Sequence, residues 1–153
     1  MMKELVNTFI NARTEFIELL NTFPADRVDE RCFGKWNLRE VLAHFTAWDR
    51  YFTQAVKLLK QGVAMPYWER IDSFNANAVK RTGRLDWNRL QSDFIKAGAA
   101  FIETYQKLPK ELEYKIIWKQ RKYTPTRFVE INIEHYTNDQ IKSIASLVKK
   151  LKK

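Results

Sequence analysis

Hydrophobic residues recur at three- and four-residue spacing over four long segments of the chain. The segments are approximately residues 3–20, 38–60, 85–107 and 125–151. In the first segment the apolar face has one polar interruption, Arg13. This spacing is typical of amphipathic helices. The pattern therefore predicts an all-α protein whose four helices pack as an up-and-down or crossover bundle.

Local signals mark where the predicted helices begin. Asn37 precedes the second helix and Glu40 follows three residues later, which is the capping-box arrangement, with Trp36 before it as a hydrophobic staple. Thr124 followed by Pro125 places a hydroxyl cap before a proline at the first helical position. Both signals support the helix starts predicted from the apolar spacing.

The connections are less regular than the helices. The connection at residues 63–83 is longer than a tight turn requires, and residues 71–79 within it predict a short extra helix. This connection serves either as a lid or as cover for an open bundle end. Residues 113–123 predict a short extended piece. In the third helix, Gly98 removes a side chain from one turn, so a neighbouring helix or a large aromatic ring can approach closely. We expect residues 1–153 to form one domain.

The composition limits the protein classes. The 153 residues include 27 Lys and Arg against 18 Asp and Glu, a net charge of +9 that would attract polyanions such as nucleic acid. Cys32 is the one cysteine, which excludes an internal disulfide and indicates a reducing compartment. We expect neither a signal peptide nor a membrane-spanning segment, and therefore a cytoplasmic protein without a membrane partner, either a monomer or a homodimer.

Two histidines are the first candidates for chemistry. His135 and Asp139 lie four residues apart and share a helix face, and His44 joins them if the second and fourth helices are neighbours. Two imidazoles and a carboxylate form a set with open positions that suits a divalent zinc, nickel or iron ion. The alternative is that each histidine is a core or rim residue with one hydrogen bond.

A metal-free hydrolase would need other groups. Tyr51 could donate to a developing negative charge, Asn75 and Asn132 could orient substrate or water, and Glu134 or Asp139 could act as the base. A flat ligand could lie against an aromatic wall, whose members would be Trp48, Trp68 and Trp118. The alternative for these polar and aromatic residues is packing or loop capping without a ligand.

Five stretches together resemble a known family. They are residues 36–48, 74–79, 108–112, Trp118 and residues 132–136. The first stretch is similar to the second-helix motif of the DinB-like (YfiT-like) four-helix bundles, and the others are similar to the ClbS/DfsB branch. The resemblance covers nearly the whole chain in order. It implies a bundle with a long crossover connection and a central cavity.

The resemblance also implies a metal site. DinB-like proteins bind a divalent metal through three histidines, of which His44 matches the one on the second helix and His135 one on the last. Asp139 stands where a further histidine is expected. This departure either keeps a weaker site or marks a lost one.

Three functions follow from the resemblance and the charge. The first is a small-molecule hydrolase of the ClbS/DfsB type that acts on an electrophilic or toxic metabolite, with or without a metal. The second is a non-catalytic protein that binds a ligand or nucleic acid, the latter through basic residues near Trp118 and Tyr123: Lys119, Arg121, Lys122 and Arg127. The third, with less support, is a thiol-dependent transferase.

Overall fold

The computed structural model describes residues 2–31, 36–63, 77, 80, 85–117 and 123–137. Within these residues four α-helices form the fold. They are α1 (Met2–Thr22), α2 (Leu38–Lys60), α3 (Trp87–Gln106) and α4 (Pro125–Thr137). The all-α prediction is confirmed, with helix starts within two residues of those expected.

The predicted caps are present. The Asn37 side chain accepts a hydrogen bond from the Glu40 N–H at 2.8 Å, and the Glu40 carboxylate accepts one from the Asn37 N–H at 3.1 Å. The Thr124 hydroxyl accepts from the Arg127 N–H at 3.2 Å. These bonds satisfy amides that the first turn of a helix leaves without partners.

Contacts between helices define the topology. In α1 and α3, Phe9 lies against Phe101 and Phe16 against Phe94, so these two helices are antiparallel. In α2 and α3, Arg50 pairs with Asp93 and the Phe52 carbonyl accepts from Tyr105, so these neighbours are parallel. Parallel neighbours require the long crossover connection that the sequence predicts between α2 and α3.

The fourth helix runs antiparallel to α2. His44, Asp49 and Phe52 along α2 meet His135, Asn132 and Phe128, in that order, along α4. The helix directions are therefore up, down, down and up. This order gives α2 and α4 a shared interface, which is the condition on which the predicted histidine site depends.

Two predicted connecting elements are only partly described by the structure. Of the predicted extended piece at 113–123, residues 113 and 114 form a turn after the 3₁₀ helix Lys110–Leu112, and residues 118–122 lie outside the described residues. Tyr123 forms a β-bridge, and its carbonyl accepts a hydrogen bond from the Ile117 N–H at 2.7 Å. The predicted extra helix at 71–79 lies outside the described residues except for Asn77, which is helical. The predicted part of the last helix beyond Thr137 also lies outside them.

The core is unusually aromatic. Seven phenylalanines and one tyrosine are fully buried: Phe9, Phe16, Phe45, Phe52, Phe94, Phe101, Phe128 and Tyr105. Their rings meet edge to face, tilted or stacked, and the centroids of Phe52 and Phe128 are 4.2 Å apart. Such pairs add to the stability that apolar burial supplies. In the described part of the chain, no helix is both long and apolar enough to cross a bilayer.

Candidate functional site

The two histidines meet at the end of the α2–α4 interface. The ring centroids of His44 and His135 are 5.1 Å apart, and the ring planes are inclined by 60°. His44 is 9% exposed and His135 is partly buried. The capping box at Asn37 fixes the start of α2 two turns before His44, so the position of this imidazole is set by local structure as well as by packing.

Aromatic rings enclose the histidine pair. His135 stacks on Phe45 with centroids 5.5 Å apart, while Trp36 lies 4.9 Å and Trp48 6.5 Å from His44. Burial, together with the neighbouring His44, lowers the pKa of His135 to about 3. His135 is therefore neutral over the physiological pH range, and a neutral imidazole is the form that binds a metal.

The separation of the rings fits a shared metal ion. Two imidazoles on one tetrahedral Zn²⁺, each bonded at about 2.0–2.1 Å, have centroids about 5 Å apart, and the observed value is 5.1 Å. A complete site needs a third donor. Within the described ranges no group of three His, Cys, Asp or Glu side chains could hold a metal, and Asp139, the predicted third ligand, lies outside these ranges.

A buried polar cluster lies beneath the histidine pair. We define it as Arg13, Asp49, Asn132 and Tyr136, whose exposed fractions are 5%, 1%, 0% and 3%. Asn132 Nδ2 donates to Asp49 Oδ1 at 2.9 Å, and Arg13 Nη1 lies 3.7 Å from Asp49 Oδ2. The cluster thus joins α1, α2 and α4 through polar side chains inside the aromatic core.

The Arg13 guanidinium also reaches α3. Its Nη2 donates to the Phe94 carbonyl at 3.0 Å and the Ile95 carbonyl at 3.2 Å, and its Cζ lies 4.4 Å from the centre of the Phe94 ring. A Cβ on Gly98 would lie 1.7 Å from Arg13 Nη1. The predicted close approach at Gly98 is therefore confirmed, but the approaching group is an arginine side chain instead of a helix or an aromatic ring.

Burial dominates the electrostatics of this cluster. It raises the pKa of Asp49 to about 7, while the Arg13 guanidinium and the Asn132 amide oppose the rise. Burial and the nearby Asp49 charge raise the pKa of Tyr105 and of Tyr136 above the ordinary tyrosine value. The Tyr105 hydroxyl donates to the Phe52 carbonyl at 3.0 Å. Asp49 consequently changes charge near neutral pH, whereas both tyrosines stay neutral.

The other predicted site residues occupy different environments. Trp48 lies beside His44, and Tyr51 packs edge to face on Trp48 with centroids 5.6 Å apart. Asn132 is buried against Asp49, while Glu134 is exposed and accepts a hydrogen bond from Arg127 at 3.0 Å. Four further candidates lie outside the described residues: Trp68, Asn75, Trp118 and Asp139.

The predicted basic surface is described at one position only. Arg127 lies 3.0 Å from Glu134 and 3.9 Å from Glu130, so two carboxylates balance its charge. The remaining basic residues of that surface lie outside the described residues: Lys119, Arg121 and Lys122. A nucleic-acid partner stays a prediction.

Sequence reasoning assigned no role to Asp49 or Tyr136. A signal was nevertheless present, because Asp49 lies four residues after Phe45 and three before Phe52 on the apolar stripe of α2. Arg13 interrupts the apolar face of α1 in the same way. Charged residues at core positions of two helices indicate a buried pair, since an isolated buried charge is costly.

Comparison with known proteins agrees with this architecture. No curated protein matches the chain. Among solved structures, the crystal structure of an uncharacterised protein from Escherichia coli UTI89 superimposes with a TM-score of 0.84 at 14% sequence identity, covering 99% of this chain and 95% of the other. At this identity the likeness shows the fold alone. The sequence itself matches the DinB superfamily over residues 8–138, and the chain therefore belongs to that superfamily.

Proposed function

We propose that this protein is a metal-assisted small-molecule hydrolase, of the ClbS/DfsB type within its superfamily, and that His44 and His135 hold the metal. One observation carries the proposal: two imidazoles from different helices lie with centroids 5.1 Å apart, a separation compatible with a shared tetrahedral ion. Bundle interiors commonly build such sites from facing helices.

The residues around the pair suit this role. Burial among these rings, together with the neighbouring His44, keeps His135 neutral, which leaves its nitrogen lone pair available. Asp139 is our proposed third ligand. When bound, a divalent zinc, nickel or iron ion acts as a Lewis acid that activates water for attack. We propose Trp36, which is partly buried beside His44, as the apolar face for the organic part of an electrophilic substrate; Trp48, also beside His44, is 5% exposed and packs in the core.

Glu134 is the proposed base, and it must leave its ion pair with Arg127 before it can act. Its carboxylate is exposed and bonded to Arg127. To accept a proton from the attacking water it must turn away from that guanidinium, which is one surface ion pair and costs about 0–1 kcal/mol to break. Replacing Arg127 with alanine should therefore leave hydrolysis intact, whereas replacing Glu134 with glutamine should abolish it.

Metal analysis tests the central claim. Protein purified without a histidine tag is loaded with Zn²⁺, Ni²⁺ or Fe²⁺ under anaerobic conditions, desalted, and measured by elemental analysis. We expect one ion per chain for the wild type and for the surface control Lys107→Ala, and loss of the ion in His44→Ala and in His135→Ala. A wild type that retains no ion after loading with any of the three metals would refute the metal-assisted mechanism.

Turnover tests the reaction class. A panel of activated esters, lactones and epoxides is incubated with loaded wild type, with metal-free wild type and with His135→Ala. Hydrolysis by the loaded wild type alone supports the proposal. Stoichiometric metal with saturable ligand binding but no hydrolysis of any compound would favour the alternative, a ligand-binding protein.

A further inference from the structure

The buried polar cluster lies on the same two helices as the histidine pair. Asp49 follows His44 by five residues on α2, and Asn132 precedes His135 by three residues on α4. The hydrogen bond from Asn132 Nδ2 to Asp49 Oδ1, 2.9 Å long, therefore crosses the α2–α4 interface about one turn from the imidazoles. Any slide of α4 along α2 changes this bond and the imidazole separation together.

Burial makes this bond selective for one register. Asn132 is 0% exposed and Asp49 1% exposed, so neither side chain can exchange its partner for bulk water. Moving α4 by one residue shifts it by about 1.5 Å and rotates the side chain by about 100°, which would leave an amide and a carboxylate buried without each other. An apolar contact surface imposes no comparable penalty on a small slide.

The remaining members hold the cluster in place from both sides. Arg13 links Asp49 to the α3 carbonyls of Phe94 and Ile95, so the carboxylate cannot follow a displaced α4. Tyr136, the residue after His135, packs on Phe45, the residue after His44, with centroids 5.0 Å apart. The histidines are thus bracketed by contacts between their immediate neighbours and by the polar bond beneath them.

We propose that Asp49 and Asn132 are positioning residues that fix the separation of His44 and His135, with Arg13 as the anchor. This inference rests on the proposed function for its biological meaning, because the histidine pair is the site that it positions. The quantity concerned, the separation of the two imidazoles, is a property of the metal-free protein. It can therefore be measured before any metal or substrate is added.

Proton NMR of the imidazoles provides the measurement. The chain has two histidines, so two Hε1 signals report on the pair. Ring currents from Trp36, Phe45 and Trp48 displace these signals from their random-coil positions, because the rings lie close to the imidazoles. We expect Asn132→Ala to move both signals toward random-coil values. Val129→Ala, a truncation of another fully buried residue of α4, is the matched control and should leave them in place.

A side-chain exchange separates positioning from general stability. Asp49→Asn breaks the charge pairing with Arg13, and the double variant Asp49→Asn with Asn132→Asp restores one carboxylate and one amide across the same interface. We expect the single variant to move the imidazole signals and the double variant to return them. If Asn132→Ala does not fold, this exchange alone decides the question.

Two results would overturn the inference. The first is that the imidazole signals of Asn132→Ala or of Asp49→Asn stay at their wild-type positions. The second is that Val129→Ala displaces these signals as far as Asn132→Ala does. A separate titration with Co²⁺ should show about 10-fold weaker binding in Asn132→Ala than in the wild type, the size typical of residues that orient metal ligands. Failure of the wild type to bind Co²⁺ would count against the metal proposal only, because the NMR result needs no metal.

Discussion

Replacing Gly98 with alanine should strongly destabilise the bundle, although alanine is the better helix former. The reason is the Arg13 guanidinium, which lies against the α3 backbone at this position. A Cβ on residue 98 would be 1.7 Å from Arg13 Nη1, 1.9 Å from Cζ and 2.4 Å from Nη2. All three distances are far below van der Waals contact, so the guanidinium would have to leave its site.

The expected magnitude follows from the contacts that would be lost. Displacing Arg13 breaks its bonds to the Phe94 and Ile95 carbonyls and separates it from Asp49. Breaking a buried ion pair costs about 3–5 kcal/mol, and the intrinsic preference for alanine over glycine in a helix returns only about 1 kcal/mol. We therefore expect a net loss of about 2–4 kcal/mol, which is a large part of the stability of a typical domain.

Urea denaturation followed by circular dichroism measures this loss, and a double-mutant cycle assigns its cause. In the Arg13→Ala background the obstructing side chain is absent, so Gly98→Ala should there be neutral or stabilising by up to about 1 kcal/mol. Ala99→Gly, at an exposed position of the same helix turn, is the control and should cost about 1 kcal/mol in both backgrounds. Equal effects of Gly98→Ala in the two backgrounds would refute the placement of the guanidinium.

Three further predictions concern stability. The pKa of Asp49 rises to about 7 on folding. Between about pH 4 and pH 7 the folded state therefore keeps a proton that the unfolded state releases. As the pH rises through this range, the free energy of unfolding of the wild type should fall by up to about 4 kcal/mol relative to that of Asp49→Asn. Parallel urea titrations at pH 4, 5.5, 7 and 8 test this, and equal pH slopes in the two proteins would contradict it. Asn37→Ala removes the α2 cap and should cost about 1 kcal/mol in thermal unfolding, with Asn37→Ser close to the wild type. Tyr105→Phe removes the bond to the Phe52 carbonyl and should cost about 1 kcal/mol by the same measurement.

Much of the fold follows from local signals in the sequence. The start of α2 could be predicted because the Asn37–Glu40 capping box is a contact between residues three apart. The meeting of His44 with His135 needed one further assumption, that α2 and α4 are neighbours, and the resemblance to a bundle family supplied it. Contacts within one helix turn, or along one interface of a recognised fold, are therefore accessible from sequence.

The partners within the buried polar cluster could not be predicted from the sequence, for a physical reason. Its contacts join Arg13 of α1, Asp49 of α2, Gly98 of α3 and Asn132 of α4, and none of these residues lies near another in the sequence. Periodicity identifies a polar residue on an apolar face but does not identify its partner on another helix. Sequence reasoning accordingly treated Asn132 as a candidate for orienting substrate or water and gave no sign that its amide donates to Asp49.

Stability alone is a poor explanation for charged and amide side chains at the centre of an aromatic core. Apolar residues of similar volume often stabilise a protein as well as a buried ion pair does, because removing two charges from water offsets their attraction. A core of phenylalanine rings, however, tolerates small shifts of one helix along another, since such contacts have no fixed partner. The bond between Asp49 and Asn132 does have one. It lies where a shift of α4 would separate two imidazoles, so the polar residues occupy the level of the bundle at which a defined register matters most.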